Sequence, residues 1–501
     1  MREPGRPGRP PRPGEARVVD RWHRASSGRR LVAVFASLVV ATALVVAGSA
    51  TVAPRYGDGR PWAGVVTDDL RRAPETTRWT LDLAAALAPD APRRCLNFWA
   101  SPAVDGLVAV GTSVDLDFGD TLGAPACRRY ASEATTSLVG LVETATGTVR
   151  WVHDLARDVP DTDALSIPAT QVVPEAGRVL VQTQTTGATV LAALDLDDGS
   201  LVESTRGRRD LPSVSVDTRG PLQLRTFSGL SGSGARYQLV DASHLADPVW
   251  EGGADAGTSP VLVGDGALVE HEGEAVFVDG RTGEERPFTA SPDVLVVPPV
   301  GSPVVTASGR TVVAFAVERT RANGTLSALD ARGDPVWSRP SSSRRLALTP
   351  SCVVAVTRGD TTAECIDPRD GTSRWTTDLG APFSVEAVPG QRGDDVLVVV
   401  QRPGGSRLLS LDGDDGHTRF SSALGLLDDV AAAGRSAVYV QTDDGGSSGR
   451  GITAVDLADG RRLWSASPSG SLVFWGGHLV GIDEGGVARR LVDDARLVVT
   501  S

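Results

Sequence analysis

Cysteine and clustered aspartate are the residue types in this sequence whose spacing could support chemistry. The four cysteines are Cys95, Cys127, Cys352 and Cys365, and none has the Cys-x-x-Cys spacing of a structural zinc site. The acidic runs "DLDDG" at 195–199 and "DGDDG" at 412–416 offer oxygen ligands, but neither opens a 12-residue calcium loop that ends in Glu. The sequence therefore predicts disulfides and turn-forming aspartates, with a zinc site and a calcium site as the alternatives.

No catalytic residue and no metal ligand is assigned among the other polar residues. Lysine is absent and all 50 basic residues are arginine, so the chain has neither a Schiff-base lysine nor a phosphate-loop lysine. The six histidines show no metal-ligand spacing. After residue 53 there are 59 acidic residues and 41 arginines, which argues against nucleic acid as a partner because phosphate binding needs a basic surface.

Two of the cysteines are placed symmetrically about a predicted turn. In "SCVVAVTRGDTTAECID", Cys352 and Cys365 are equidistant from Arg358–Gly359. A hairpin turning there would place the two cysteines directly opposite each other on paired strands, so we predict a disulfide between them. Closing this loop would contribute roughly 3 kcal/mol in the chain-entropy model. Cys95 and Cys127 would then bridge a long, irregular insertion.

The first 53 residues differ in composition from the rest of the chain. Residues 1–30 are rich in Pro and carry nine arginines against three acids, which predicts a disordered tail. Residues 31–53 carry no charge, and a bilayer-spanning helix takes about 20 such residues. The positive-inside rule then places residues 1–30 in the cytoplasm and the chain after residue 53 outside it.

We therefore expect a single-pass signal anchor in the cell membrane with an extracytoplasmic domain. A cleavable signal peptide is the alternative, because the small residues of "AGSATVA" suit a signal peptidase. Residues 54–75 contain Gly, Pro and charged residues with little apolar periodicity, which is typical of a polar linker. Both alternatives export the cysteines to an oxidising compartment, where disulfides persist.

A module of the form Asp-x-x-x-Gly-x-x-x-Trp recurs along residues 76–501. Its Asp positions, with Glu143 in the first unit, are 37 to 52 residues apart, a period typical of propellers. Short runs rich in Val and Leu, separated by turn residues, indicate four antiparallel strands per unit, which is one propeller blade. The strand "TTRWTLDL" at 76–83 precedes the first unit and would complete the last blade, so that the ring closes.

The residues of the module are predicted to be structural. Its Asp can bond backbone groups two residues on, and its Gly supplies positive φ, as hairpin turns require. Its Trp is large and has an N–H to satisfy, so we expect it to lock neighbouring blades together. The predicted turn residues are Asp195, Asp330, Asp367, Gly371, Asp412, Asp456 and Gly460, and the predicted locks are Trp79, Trp151, Trp250, Trp337, Trp375 and Trp464.

The units "LSALDARGDPVW", "AECIDPRDGTSRW" and "ITAVDLADGRRLW" resemble the repeat of pyrroloquinoline-quinone-like β-propellers. The resemblance extends over about residues 75–501 and implies an all-β fold of four-stranded antiparallel blades. Counted literally, the sequence has nine units. Eight blades is usual for the family that it resembles, so we expect eight, with one degenerate unit merged or irregular.

The family that this chain resembles contains quinoprotein dehydrogenases and many non-enzymatic members. Many of the enzymes hold the quinone under a disulfide of adjacent cysteines and use Ca²⁺ bound by Glu and Asn, with a catalytic Asp. This chain has no adjacent cysteines and only two asparagines, Asn97 and Asn323. The sequence therefore favours a non-enzymatic binding or scaffold module without a cofactor, whose partner is a protein or an envelope polymer. A quinoprotein-type dehydrogenase that oxidises an alcohol or a sugar is the alternative.

Overall fold

A computed structural model describes most of the chain between residues 64 and 493. The described residues are 64–114, 127, 138–159, 169–184, 188–206, 213–228, 235–254, 260–271, 274–288, 294–297, 304–318, 324–357, 361–380, 382–402, 404–425, 428–443, 450–467 and 470–493. The predicted cytoplasmic tail, the predicted membrane span and the first part of the predicted linker, residues 54–63, lie outside them. Within the described residues, no helix is long and apolar enough to cross a membrane.

The described strands, β1 to β38 in chain order, form nine four-stranded antiparallel blades and one separate hairpin. Blade 1 comprises β2–β5 (Leu96–Ala100, Leu107–Val114, Leu138–Glu143, Thr148–Asp154), blade 2 β6–β9 (Ala169–Val173, Arg178–Gln184, Thr189–Asp195, Leu201–Arg206) and blade 3 β10–β13 (Ser213–Arg219, Leu222–Ser228, Ala235–Asp241, Pro248–Ala254).

The next blades follow the same order from the inner to the outer strand. Blade 4 comprises β14–β17 (Val261–Val263, Gly266–His271, Glu274–Asp279, Glu285–Pro287), and blade 5 comprises β18 and β21–β23 (Val294–Val297, Ala314–Glu318, Gly324–Leu329, Pro335–Ser341). The separate hairpin, β19–β20 (Val304–Val305, Thr311–Val312), lies between β18 and β21 in the chain. Blade 6 comprises β24–β27 (Ser343–Leu348, Val353–Thr357, Thr362–Ile366, Ser373–Asp378).

The last three blades complete the ring. Blade 7 comprises β28–β31 (Ser384–Ala387, Val396–Arg402, Gly405–Leu411, Thr418–Ala423), blade 8 β32–β35 (Asp429–Ala433, Ala437–Asp443, Arg450–Asp456, Arg462–Ala466) and blade 9 β36–β38 with β1 (Gly470–Trp475, His478–Asp483, Val487–Val492, Thr76–Asp82). The helices of the described residues are short: α1 (Leu83–Leu87), α2 (Leu155–Asp158) and two 3₁₀ turns (Arg93–Cys95, Pro174–Ala176).

The sequence of each strand reflects its place in the blade. The third strand of blade 2, TVLAALD, is buried at every residue before its final Asp, because other blades cover both of its faces. The outer strand of the same blade, LVESTR, alternates half-buried with exposed residues, as a strand with one wet face should. A strand that is covered on both faces is therefore apolar throughout, whereas a strand with one wet face alternates.

The expectation of eight blades is wrong, because every unit counted in the sequence forms a blade of its own. Blade 4 shows how a ninth unit is accommodated. Its inner strand, Val261–Val263, and its outer strand, Glu285–Pro287, have only three residues each. Arg219 at the end of the inner strand of blade 3 donates to the carbonyl of Val313 in blade 5, so the two flanking blades approach each other past blade 4.

The N-terminal strand closes the ring, as the sequence predicted. β1 pairs antiparallel with β38, from Thr76 opposite Val492 to Asp82 opposite Val487. Leu83 and Leu87 of α1 are buried together with Val108 and Val110 of blade 1. Blade 9 is thus joined both to the start of the domain and to blade 1, and its outer strand comes from the opposite end of the chain.

Residues 64–75, here called the N-terminal strap, pack on the propeller, and the predicted polar linker is wrong for this part of the chain. Val66 and Leu70 are 2% and 0% exposed. They belong to the apolar cluster that contains Tyr439 and Trp464. The low apolar periodicity of the strap is misleading because two buried side chains suffice to anchor so short a segment.

In blade 9, the turn after the third strand is built from two separate parts of the chain, and the strap supplies one of them. Asp493 follows directly after the third strand of blade 9, and its Oδ2 accepts from the backbone N–H groups of Arg71 and Arg72 at 3.0 and 3.3 Å. Trp464 of blade 8 donates its indole N–H to the carbonyl of Leu70 at 2.9 Å. Two remote segments thereby reproduce the Asp turn of the other blades.

A buried charge cluster fixes the strap to blade 9. The Asp68 carboxylate, 9% exposed, pairs with Arg490 at 2.8 Å and lies 3.1 Å from His478 Nδ1. Arg490 also donates to the carbonyl of Ala145 in blade 1. Burial raises the pKa of Asp68, but the hydrogen bonds from His478 and Arg490 outweigh it, so that its pKa lies below the ordinary value.

Both predicted disulfides are present, and one differs in register from the expectation. Cys95 bonds Cys127, and Cys352 bonds Cys365, with Cα–Cα distances of 5.2 and 5.4 Å. Cys365 is opposite Val354 in the strand ladder. The two cysteines are therefore diagonal neighbours on one face instead of directly opposite residues, and Cys352 precedes the first residue of its strand by one.

Candidate functional site

The repeated module forms one contact between each blade and the next. In blade 6, Asp367 Oδ1 accepts from the N–H of Arg369 at 2.8 Å, and Gly371 has a φ of 76°. A Cβ on Gly371 would lie 2.8 Å from the ring of Trp337 in blade 5, so only glycine fits beneath that ring. Trp337 also donates its indole N–H to the carbonyl of Pro368 at 3.1 Å. The Gly of one unit is thus covered by the Trp of the preceding unit.

The same lock recurs around the ring, with variations. The indole N–H groups of the six predicted lock residues all reach the next blade or the strap: Trp79 to Thr144, Trp151 to Leu196, Trp250 to Glu285, Trp337 to Pro368, Trp375 to Gly413 and Trp464 to Leu70. Between blades 7 and 8, the ring of Phe420 lies over Gly460. Between blades 4 and 5, Phe277 lies over Gly333 and is itself covered by Arg286 at 4.6 Å.

The predicted turn aspartates fill one role throughout. Each accepts the backbone N–H two residues on: Asp195 from Asp197, Asp330 from Arg332, Asp367 from Arg369, Asp412 from Asp414 and Asp456 from Ala458. Several also pair with an arginine that precedes the aromatic ring, such as Arg374 with Asp367 and Arg419 with Asp412. In the described residues no three His, Cys, Asp or Glu side chains are placed to hold a metal ion.

One interface departs from this scheme, and we call it the polar seam: the interface between blade 2 and blade 3. Glu203 occupies the position of the Trp in the blade 2 unit. Its carboxylate accepts from the backbone N–H groups of Leu245 and Ala246 in the blade 3 turn, at 2.7 and 2.6 Å. That turn, "DASHLADP", contains no glycine for a ring to cover. A charged group therefore replaces the aromatic lock here.

A buried arginine lies on the other side of the polar seam. Arg225 is 1% exposed and donates to the carbonyl of Leu245 at 2.7 Å and to Gln223 Oε1 at 3.1 Å. Leu245 is thus held at its carbonyl by Arg225 and at its N–H by Glu203. Burial lowers the pKa of Arg225 to about 10, an effect that the charge of Glu203 opposes. The Arg225 guanidinium and the Glu203 carboxylate are thus connected by hydrogen bonds to the backbone of the same residue, Leu245.

Glutamine is concentrated in the strands of the two blades that flank the polar seam. The chain has eight glutamines, and five of them lie in the strands of blades 2 and 3: Gln171, Gln182, Gln184, Gln223 and Gln238. Side chains alternate along strands, so Gln223, Arg225 and Phe227 project from one face. Phe227 packs against Leu191 of blade 2, which identifies this face as the one turned toward blade 2.

Two cavities accompany the polar seam. The inner one, of about 20 Å³, has room for about one water and is lined by residues of both blades, including Gln171, Gln182 and Gln223. The outer one, of about 270 Å³, is here called the blade 3 cavity. It is lined by Phe227, Arg236, Tyr237, Gln238, Glu251, Gly252 and Gly253. It lies on β11, β12 and β13, next to the seam.

The strand register explains how the blade 3 cavity is built. Gln238 is opposite Glu251, and Arg236 is opposite Gly253, so these four positions share one face of the blade. Phe227 is opposite Arg236 on the neighbouring strand and completes the row. Gly253 leaves this row without a side chain at its end in the outer strand, and the cavity occupies that space.

The hydrogen bonds around the polar seam fix polar side chains relative to one another, and they do not form a catalytic relay. Gln238 donates to Glu251 Oε1 within the blade 3 cavity. In the nearby turn, Ser243 donates to Asp241 at 2.6 Å and lies 2.9 Å from His244 Nδ1. The Asp241 carboxylate bonds Ser243, whereas His244 is bonded to Asp241 through its backbone N–H, so the three residues form a capped turn and not the relay in which the acid orients the base. Arg, Gln and Glu hold one another in fixed orientations that suit a bound polar group.

Neither the polar seam nor the blade 3 cavity was predicted from the sequence. Two signals mark them in retrospect. Glu203 stands where the repeat places Trp, and glutamine is concentrated between residues 171 and 238. A departure from the structural repeat therefore locates the candidate site better than the repeat itself, which marks residues that hold blades together.

The fold defines a β-propeller of four-stranded blades with the Asp-x-x-x-Gly-x-x-x-Trp repeat. Residues 322–472 match the family model described as "Outer membrane protein assembly factor BamB". BamB from Moraxella catarrhalis has a solved structure that is similar at 12% identity and a TM-score of 0.40, over 84% of this chain and 98% of that one. The structure of quinohemoprotein alcohol dehydrogenase from Comamonas testosteroni is similar at 12% identity and a TM-score of 0.39, over 89% of this chain and 79% of that one.

No curated protein sequence matches this chain. Structural likeness at TM-scores below 0.5 does not identify a function. The residues of the site are therefore the basis of any functional conclusion.

Proposed function

We propose that this chain is a membrane-anchored, extracytoplasmic β-propeller that binds a cell-envelope partner, either a protein or a polymer, and catalyses no reaction. Residues 31–53 would anchor it, and the propeller would face away from the cytoplasm. The charge asymmetry of the first 53 residues supports this topology. The match of residues 322–472 to a family described as an assembly factor supports a role in holding partners together.

The observation that carries the binding role is the contrast between the polar seam and the other blade interfaces. An aromatic ring seals each of the other interfaces among the described residues, whereas the polar seam has charged and amide side chains and adjoins a cavity of about 270 Å³. Polar groups that are fixed by neighbours and open to a cavity are typical of a binding site. The proposed partner therefore contacts blades 2 and 3.

The test uses the full-length protein in intact cells. Envelope components would be cross-linked before lysis, and the tagged protein would be isolated with its adducts. The untagged strain is the control. We expect a discrete envelope adduct that depends on the tag and on the cross-linker. Purified full-length protein incubated with pyrroloquinoline quinone and Ca²⁺ should reduce no redox dye with alcohols or sugars. Dye reduction above the protein-free rate would establish the dehydrogenase alternative instead.

The topology has its own test. Protease added to wall-stripped cells should digest the propeller and leave a small protected fragment that contains the N-terminus. An N-terminal tag that is accessible while the propeller is protected would reverse the orientation. A mature protein that begins near Ala50–Pro54 and is released into the medium would establish the signal-peptide alternative.

A further inference from the structure

The blade 3 cavity presents three kinds of planar polar group side by side. The guanidinium of Arg236, the amide of Gln238 and the carboxylate of Glu251 project from one face at neighbouring ladder positions. The hydrogen bond between Gln238 and Glu251 fixes two of them relative to each other. Each group offers paired donors or acceptors in one plane, which match two adjacent hydroxyl groups on a ligand.

The charge of the described lining favours a neutral ligand over a strongly ionic one. Among the described residues that line the cavity, Arg236 and Glu251 carry opposite charges, and the others are neutral: Phe227, Tyr237, Gln238, Gly252 and Gly253. A phosphate or a polyanion needs an excess of positive groups to offset its desolvation, and a cationic ligand needs the reverse. A neutral ligand rich in hydroxyl groups matches this lining.

Gly253 gives the cavity a floor of bare backbone. A Cβ placed on Gly253 would meet no atom within 4 Å, so that position opens into the cavity. Backbone without side chains lets a flat ligand ring approach closely and bond to peptide groups. Phe227, in the same row, adds aromatic surface at the edge of this floor, which suits the apolar face of a sugar ring.

We propose that the blade 3 cavity binds one unit of a neutral saccharide, such as a residue of an envelope polysaccharide. At about 270 Å³, the cavity lies just below the roughly 300–1,000 Å³ of pockets for drug-sized ligands, so it suits a single monosaccharide unit. This inference rests on the proposed function, because an exported propeller is the one that meets such polymers.

A peptide is the other macromolecular ligand that an outer strand can bind. Strand addition relies on backbone pairing plus apolar pockets for alternate side chains. The blade 3 cavity instead offers a guanidinium, an amide and a carboxylate in one row. This composition favours hydroxyl groups over apolar side chains, and the test below separates the two.

The test measures binding of neutral trisaccharides of glucose, galactose, mannose and N-acetylglucosamine to the full-length protein in detergent, by calorimetry. Gly253→Leu fills the cavity without a backbone clash, and Gly404→Leu is the matched control, since a Cβ at Gly404 also meets nothing within 4 Å. We expect saturable binding of at least one trisaccharide. Gly253→Leu should weaken it at least tenfold, Arg236→Gln and Glu251→Gln should weaken it by smaller factors, and Gly404→Leu should leave it unchanged, with the same thermal midpoint in every variant.

Each other outcome overturns the saccharide proposal. The absence of binding to all four trisaccharides does so directly, and so does binding that Gly253→Leu does not weaken. An envelope protein that cross-links to the wild type but not to Gly253→Leu, without trisaccharide binding, would identify a peptide ligand and leave the proposed function standing. Absence of both trisaccharide binding and envelope adducts would remove the proposed function as well.

Discussion

The interface between blades 6 and 7 and the polar seam between blades 2 and 3 solve the same problem in opposite ways. At the first, Trp375 lies over Gly416 and donates to Gly413, within a cluster of fourteen buried residues. At the second, Glu203 bonds two peptide N–H groups, and the buried apolar clusters have only five and two residues. The first interface is held by apolar burial and the second by charged hydrogen bonds.

This difference teaches where a propeller can carry a binding site. A ring packed on glycine leaves no space for a ligand and uses its only polar atom internally. A charged, hydrogen-bonded interface buries less apolar area and therefore contributes less hydrophobic stabilisation. The cavities beside the polar seam are consistent with that looser packing. Substitutions at the aromatic interface should therefore reduce the free energy of unfolding more than substitutions at the polar seam.

The largest effect is expected for Trp375→Ala. Removing a buried tryptophan typically costs about 3–5 kcal/mol, and here the Gly413 carbonyl also loses its donor. Chemical denaturation of the full-length protein in detergent would measure the change, with Trp375→Phe as the control that keeps a ring over Gly416. An unchanged denaturation midpoint in Trp375→Ala would show that the ring does not lock the blades.

The strap should show the next largest effect, because its charge cluster combines burial with ion pairing. Breaking a buried pair costs about 3–5 kcal/mol, so Asp68→Asn should cost about 3 kcal/mol at neutral pH. The folded-state pKa of Asp68 is below its unfolded value, so this stability is present above the unfolded pKa and lost as pH falls through the folded pKa.

The stability difference between wild type and Asp68→Asn should therefore shrink as the pH falls through the acid range. Denaturation curves at several pH values would measure it. A difference that stays constant from neutral to acid pH would mean that the Asp68 charge does not hold the strap.

Glycine substitutions separate backbone strain from the ring contact. Gly199 and Gly177 are both in blade 2, with φ of 74° and 63°. A Cβ on Gly199 would be 2.5 Å from the ring of Trp151, whereas one on Gly177 would meet nothing within 4 Å. Gly177→Ala should cost about 1–2 kcal/mol for the left-handed backbone alone, and Gly199→Ala at least about 1 kcal/mol more. Equal losses would mean that the ring does not depend on this glycine.

The smallest effect is expected at the polar seam. Glu203→Gln keeps the shape of the side chain but removes the charge that two N–H groups share. Hydrogen bonds to charged groups contribute about 1.5–3 kcal/mol, and an amide retains part of this, so the loss should be about 1–2 kcal/mol. Thermal denaturation would measure it. A loss as large as that of Trp375→Ala would contradict the distinction between the two kinds of interface.

The sequence predicts most of the fold because the repeat carries its own physical logic. Asp367 with Gly371 specifies a turn, and Trp375 specifies a buried ring, so the blades could be predicted from the amino-acid sequence. The blade number could not be decided this way, because the short strands around Asp279 were compatible with a merged unit. Only the structure shows that three residues per inner strand suffice for a blade.

The strap and the polar seam lay beyond sequence reasoning for a different reason. Leu70 and Asp493 are remote in the chain, and no local pattern announces that together they complete one turn. Glu203 and Arg225 interact through the backbone of Leu245, so neither has a partner recognisable by spacing. Contacts set by tertiary closure leave little trace in local composition, apart from the concentration of glutamine.

Site-specific photo-cross-linking in intact cells tests the central claim, that the polar seam and its cavity contact the partner. Full-length protein with p-benzoylphenylalanine in place of Asp247, an exposed residue of the blade 3 turn at the polar seam, would be compared with protein labelled at Gly404, which is open to solvent. We predict an envelope adduct at position 247 and none at position 404. Adducts at position 404 alone, or at neither position, would contradict the account.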